Sequence, residues 1–81
     1  MRIADLIGKT FSQRDYLDPN GQQTKVSAWR IDDVKEANGV VDLYSKGRCI
    51  YRFNRMSFLR FTQTGVVPQK SYLDDSIYRI H

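Results

Sequence analysis

Cysteine and histidine are almost absent from this sequence: among 81 residues, one is a cysteine, Cys49, and one is a histidine, His81. A single cysteine cannot close an internal disulfide or supply a four-cysteine zinc site. The terminal position of His81, where chains fray, disfavours a positioned general base. The chain must therefore fold without covalent or metal cross-links, which favours a reducing compartment.

Long apolar runs are also lacking. No segment approaches the roughly 18 apolar residues of a membrane-spanning helix. Residues 1–8 carry an acid at position 5 and too short an apolar stretch for a signal peptide. We therefore expect a cytoplasmic protein with no membrane partner.

The composition is that of a small folded domain. Hydrophobic residues make up 41 %, charged residues 27 % and aromatic residues 12 %, and the aromatic content argues against disorder. A chain this short buries only about 60–65 % of its unfolded surface, so its core is small. With no repeat or linker, we expect one domain over 1–81. Its core spans about 3–65, and the tail 66–81 packs on it or adds a strand.

Turn sequences divide the chain into short strands. Tight turns are predicted at 18–21 (Asp-Pro-Asn-Gly), at Asn38-Gly39 and at 45–47 (Ser-Lys-Gly). They separate β-compatible runs at 10–17, 24–37, 40–44 and 48–53. In the second run Trp29 and Ile31 share a face that we expect to be the core. In the fourth, alternation predicts that Cys49 is a buried small hydrophobe.

Two short helical segments complete the pattern. Ile3, Leu6 and Ile7 lie at helical spacing before Gly8. Ser57 is expected to cap a turn near 57–63 that Gly65 and Pro68 stop. The predicted fold is mainly β (α+β): a four- to five-stranded antiparallel meander or partly open barrel. The tail fits either a helix, with Leu73, Ile77 and Ile80 on one face, or a strand with Tyr78 and Ile80 inward.

All excess positive charge lies between Arg48 and Phe61. This stretch holds four arginines and no acid, and the remaining nine basic residues balance the nine acids. On a regular strand Arg48 and Arg52 would share a face, about 13–14 Å apart, with Ile50 between them. Phe58, Leu59 and Phe61 are expected to be core. The candidate binding residues for nucleic acid or another partner are the four arginines and one aromatic side chain able to stack on a base: Arg48, Arg52, Arg55, Arg60 and Tyr51.

The residue patterns typical of catalytic and metal sites are matched only weakly in this sequence. Asp32-Asp33 and Asp74-Asp75 are adjacent pairs whose members point to opposite faces of a strand and cannot share a proton or cation. Asp33-Val34-Lys35 has the ending of a nuclease-like element but lacks a clear second carboxylate. A calcium loop over 16–27 would need carboxylates where Tyr16 and Ser27 stand. We expect no enzyme activity, no cofactor and no metal site.

The pattern of Gly8, Tyr16, Asn20-Gly21, Val26, Trp29, Asn38-Gly39 and Ser57-Phe58 resembles a small KOW/Tudor-like β-barrel over roughly residues 8–65. The size resembles that of short bacteriophage or prophage accessory proteins. Such barrels bind nucleic acid, ribosome or polymerase surfaces, or other proteins, and phage accessory proteins often inhibit a host or defence enzyme. If the chain is phage-encoded, the resemblance implies the host cytoplasm.

Three hypotheses follow. In the first, the arginine face of a non-enzymatic domain contacts nucleic acid. In the second, the same face binds an acidic surface on a host or defence protein. In the third, edge strands pair to form a homo-oligomer, because an open meander leaves its edges uncovered.

Overall fold

The computed structural model describes residues 2–15 and 25–81. A single turn of 3₁₀ helix, Ile3–Leu6, opens the fold. Six strands and one α-helix follow in the described residues: β1 Thr10–Arg14, β2 Val26–Arg30, β3 Asp33–Ala37, β4 Val40–Ser45, β5 Arg48–Phe53, α1 Arg55–Thr64 and β6 Ile77–Ile80.

The strands form two antiparallel sheets of three, ordered β2-β1-β6 and β3-β4-β5. The mainly β prediction is confirmed. The predicted strand count of four to five is wrong, because the described residues contain six, and the sheets are open rather than closed into a barrel. The predicted turn at 18–21 lies outside the described residues.

The extra strand arises where the predicted run 24–37 breaks at Ile31 and Asp32. The Ile31 N–H donates to Lys9 O at 2.9 Å, which keeps it with the first sheet. One residue later, the Asp32 N–H donates to Tyr44 O at 2.8 Å, in the second sheet. The chain therefore passes from one sheet to the other between these two residues.

Two tight hairpin turns build the second sheet. Asn38 and Gly39 have φ of 55° and 85°, and Lys46 and Gly47 have φ of 52° and 77°. Two consecutive positive φ angles match the right-handed twist of the flanking strands, so each turn closes its hairpin with two residues. Both turns are as the sequence predicts.

A β-bulge in β5 reverses part of the predicted face assignment. Leu43 pairs with Tyr51 but Tyr44 pairs with Cys49, so Ile50 is an extra residue without an opposite partner. Directly opposed residues share a face. Arg48, opposite the buried Ser45, therefore lies on the face of Tyr51, while Cys49 joins Arg52 on the outer face. The predictions of a buried Cys49 and of Arg48 and Arg52 on one face are wrong: Cys49 is exposed.

Aromatic rings fill the space between the sheets. Phe11 of β1 lies 5.4 Å from Tyr51 of β5 and 5.6 Å from Tyr78 of β6, measured between ring centroids. β6 pairs with β1 and turns Tyr78 and Ile80 inward, which is the strand alternative for the tail. The buried core consists of ten side chains: Leu6, Phe11, Ile31, Val41, Leu43, Tyr51, Phe53, Phe61, Val67 and Tyr78.

The α-helix is longer than the predicted turn and is capped by a different residue. The Asn54 side chain accepts from the Ser57 N–H at 2.7 Å, so Asn54 is the N-cap and Ser57 lies in the first turn. Gly65, with φ of 75°, ends the helix as predicted. Phe61 is buried and Phe58 half-buried against Phe53, whereas Leu59 is exposed, contrary to its predicted core role. Within residues 2–15 and 25–81, the helices fall short of the length and apolar character needed to cross a membrane.

The two turn glycines provide a matched test of the hairpins. A Cβ at Gly39 would lie 2.7 Å from Arg55 Nε, whereas a Cβ at Gly47 would meet no atom within 4 Å. Both positions carry positive φ, so Gly47→Ala should cost about 1–2 kcal/mol in the free energy of unfolding. Gly39→Ala should cost about 1 kcal/mol more, because Arg55 must also give up its contacts with the turn. Urea denaturation would measure both, and equal losses would contradict the close packing of Arg55 on Gly39.

Candidate binding cleft

The structure does not gather the four predicted arginines on one surface. Arg48 begins β5 beside the Lys46-Gly47 turn, whereas Arg55 follows the other end of that strand. Arg60 is exposed on α1. The single arginine face is therefore replaced by separate positions, each with its own surroundings.

Arg52 is engaged by an acid of its own sheet. Its Nε and Nη2 atoms donate to the two carboxylate oxygens of Asp42 at 2.6 and 3.0 Å. This two-pronged hydrogen bond lowers the pKa of Asp42 and raises the pKa of Arg52. Any anionic ligand at Arg52 has to compete with Asp42 or share the guanidinium with it.

Arg55 is likewise committed to the protein. Its Nε and Nη2 atoms donate to the carbonyl oxygen of Asn38 at 3.2 and 2.7 Å. The side chain thus fastens the start of α1 to the β3–β4 turn. These hydrogen bonds give Arg55 a structural role that requires no ligand.

Tyr51 cannot stack on a base as predicted, because its ring is 3 % exposed and packs among Phe11, Phe53 and Tyr78. Its hydroxyl donates to Pro68 O. Burial, with a smaller effect of the Asp74 charge, raises the pKa of Tyr51 to about 12. Tyr51 belongs to the core and anchors the segment that follows α1.

A cleft of about 790 Å³ lies between β2 and the β4–β5 turn. It forms where the chain passes between the sheets, at the end of β2. Residues from both sheets and from the segment before β6 line it: Gln13, Ala28, Trp29, Arg30, Asp32, Ser45, Lys46, Arg48, Cys49, Ile50 and Lys70. We call this the Trp29 cleft.

The Trp29 cleft is strongly basic. Four basic residues, Arg30, Lys46, Arg48 and Lys70, are among those that line it, and Asp32 is the single acid. The Asp32 carboxylate accepts from the main-chain N–H of Lys46 at 2.7 Å, so it is used in fixing the turn. The arrangement favours an anionic ligand.

Trp29 supplies an aromatic surface in this basic setting. It is opposite Phe11 in the β1–β2 ladder, and the two ring centroids are 6.0 Å apart. Trp29 is nevertheless 36 % exposed, so its predicted place in the core is wrong, whereas Ile31 is buried as predicted. One part of the indole therefore rests on the core while another part remains open to a ligand.

Lys70 reaches the cleft from a segment fixed by several hydrogen bonds. The Asp74 carboxylate accepts from the Lys70 N–H at 3.3 Å, from the Ser76 N–H at 2.9 Å and from the Tyr78 hydroxyl at 2.5 Å. The Tyr78 hydroxyl contributes most to lowering the pKa of Asp74. Lys70 Nζ also lies 5.5 Å from the centre of the Tyr78 ring. These contacts place a cation from late in the chain opposite the β4–β5 turn.

A second depression, of about 630 Å³, adjoins the Trp29 cleft. The two share Cys49, Ile50 and Lys70, and the second extends to Arg52 and Asn54. The concave surface therefore continues along β5, although the cation that it gains there, Arg52, is paired with Asp42.

Sequence reasoning identified Arg48 but missed Trp29, Arg30, Lys46 and Lys70 as members of one site. The charge count favoured 48–61 because acids elsewhere balance the other basic residues along the chain. In the fold, Asp32 is the one acid among the residues that line the cleft, and Asp42 pairs with Arg52 instead. The turn residues at 46–47 were the available signal, because they predict an exposed Lys46 next to Arg48.

Comparison with protein-family models, curated proteins and solved structures found no match for this chain. The resemblance to KOW/Tudor-like barrels stays a prediction. In the part of the chain that the structure describes, no three His, Cys, Asp or Glu side chains come together in a way that could hold a metal ion.

Two arginines of β5 differ in their contacts: Arg52 is bound to Asp42, whereas Arg48 lines the cleft. Arg52→Ala should lower the urea midpoint by a small but measurable amount, because Asp42 loses its two-pronged partner. Arg48→Ala should leave the midpoint unchanged, since Arg48 lines the cleft instead. A larger loss in Arg48→Ala than in Arg52→Ala would contradict these assignments.

Tyr51 should make the fold sensitive to alkaline pH. Its pKa is about 12 in the folded chain and about 10 when unfolded, so only the unfolded chain ionises readily between these values. The contribution of Tyr51 is complete below pH 10 and is lost as pH rises from about 10 to about 12. Tyr51→Phe should cost about 1 kcal/mol at neutral pH through the lost hydrogen bond to Pro68.

The variant should also make the fall of stability above pH 10 less steep, measured by urea unfolding at fixed ionic strength; part of the fall remains, because burial raises the pKa of Tyr78 as well. Tyr72→Phe is the matched control, because Tyr72 is highly exposed. An unchanged alkaline slope in Tyr51→Phe would overturn the assignment to Tyr51.

Proposed function

We propose that this chain is a small, non-enzymatic nucleic-acid-binding domain and that its ligand lies in the Trp29 cleft. The observation that carries the proposal is the composition of that cleft: four basic side chains and a partly exposed tryptophan, with one acid that is bonded to a turn. Cations bind the phosphates of nucleic acids, and aromatic faces bind their bases.

The position of Arg48 links this proposal to the charge pattern of the sequence. The Ile50 bulge turns Arg48 from the face of Arg52 to the face of Tyr51, towards the gap between the sheets. There it lines the same cleft as Lys46 and Lys70, which the sequence places 2 and 22 positions away. Its charge therefore acts with theirs on one ligand.

A second candidate function is protein binding, as in an inhibitor of a host or defence protein, but through an apolar surface instead of the predicted arginine face. The α1 surface favours it, because Met56 and Leu59 are 67 % and 53 % exposed beside an apolar groove of about 480 Å³. Recovery of one stoichiometric protein after nuclease treatment, abolished by Met56→Ser with Leu59→Ser and retained in Arg48→Ala, would favour this candidate.

The salt dependence of binding tests the first function directly. Each phosphate contact that a basic side chain makes adds about one unit to the slope of log K against log salt. Lys46→Ala and Arg48→Ala should each lower that slope by about one unit, because each removes one cleft cation. Fluorescence polarisation of labelled DNA and RNA over a series of salt concentrations would measure it.

Arg60→Ala is the matched control, since it removes an exposed arginine that lies on α1, outside the cleft. Its slope should stay close to that of the parent chain. Binding at the Trp29 cleft would be contradicted by an affinity that does not depend on salt, or by Arg60→Ala lowering the salt slope as much as Arg48→Ala does.

A further inference from the structure

We infer that the Trp29 cleft selects single-stranded nucleic acid, with one unstacked base lying against the indole of Trp29. This inference rests on the proposed function and specifies its ligand class. Three features of the cleft support it: its size, the position of its aromatic surface and the distribution of its cations.

The aromatic surface is recessed. Trp29 belongs to β2 and packs on Phe11, so one side of its indole is covered and the exposed part lines a cleft. Bases in a duplex are covered on both faces by neighbouring base pairs, and a side chain meets a base face only when that base leaves the stack. An indole held in this position suits a base that is already unstacked.

The volume fits a ligand of that size. At about 790 Å³ the cleft falls within the range of sites that enclose most of a small molecule. A flat base and its sugar can enter such a space. Reading the bases of a duplex instead uses a protein element that enters a groove, and the exposed apolar Met56 and Leu59 make α1 unsuited to that role.

The cations of the cleft come from two separate parts of the chain. Lys46 and Arg48 stand at the β4–β5 turn, and Lys70 comes from the segment before β6. The adjoining depression continues from Lys70 along β5 to Arg52. A flexible single strand can place its phosphates at Lys46, Arg48 and Lys70 while one base reaches Trp29, whereas a duplex has to pay a bending energy and unstack a base to do the same.

Trp29 is the only tryptophan in the sequence, so its fluorescence reports on the cleft without a label. The experiment titrates the whole chain with a ten-nucleotide single strand, the same sequence as a duplex, and a ten-unit abasic phosphodiester. DNA and RNA forms of the strand are separate arms. The single strand should quench the fluorescence and bind about tenfold more tightly than either comparator.

Trp29→Phe should retain a substantial part of this preference, because a phenyl ring still stacks, while Trp29→Ala should lose it. Polarisation of a labelled strand measures binding in these variants, and circular dichroism shows whether each is folded. Tyr72→Ala is the control for an exposed aromatic outside the cleft and should bind as the parent does. The fluorescence titration uses the parent chain alone, so it tests the inference even if Trp29→Ala does not fold.

The outcomes separate the inference from the proposed function. If the duplex or the abasic polymer binds as tightly as the single strand without quenching, and Arg48→Ala still lowers the salt slope, the inference fails and nucleic-acid binding at the cleft stands. If no oligonucleotide binds at low salt, both fail. Quenching with a preference for the single strand supports both.

Discussion

Two three-stranded sheets, each with one inward face, gain their stability from contact with one another, and the rings of Phe11, Tyr51 and Tyr78 make that contact. Phe11 and Tyr78 belong to one sheet and Tyr51 to the other, with centroids 5.4–5.6 Å apart. In a chain of this size each buried aromatic is a large part of the available hydrophobic stabilisation, about 1.5–3 kcal/mol for a fully buried phenylalanine. The hydroxyl of Tyr51 extends the same contact to Pro68 and so fixes the segment that carries Lys70.

The sequence was informative where local chemistry decides the structure. Asn38-Gly39 and Lys46-Gly47 form the predicted turns because their residues tolerate positive φ. Gly65 ends the helix for the same reason. These features depend on a few adjacent residues, so no knowledge of the rest of the fold was needed to predict them.

Prediction from the sequence failed where contacts between residues far apart in the chain determine the structure. The Ile50 bulge depends on how β5 pairs with β4, and a count of alternate residues along β5 alone cannot reveal it. The same limit explains why Arg52 was counted as available although Asp42 holds it, and why Tyr51 was expected at the surface although three rings surround it. Of the residues that line the Trp29 cleft, the sequence predicted one, Arg48. It predicted that residue on the face of Arg52, and the bulge places it on the opposite face.

The pairing of β6 with β1 has a consequence for the order of events during synthesis. β1 lies between β2 and β6, and its partner β6 is separated from it by most of the chain. The β3–β4 and β4–β5 hairpins pair neighbouring segments and can form as they leave the ribosome, but Phe11 lacks the cover of Tyr78 until Ile80 has emerged. Until then the nascent chain exposes an aromatic surface and an incomplete cleft. The Trp29 cleft is therefore complete only once the segment that carries Lys70 is in place.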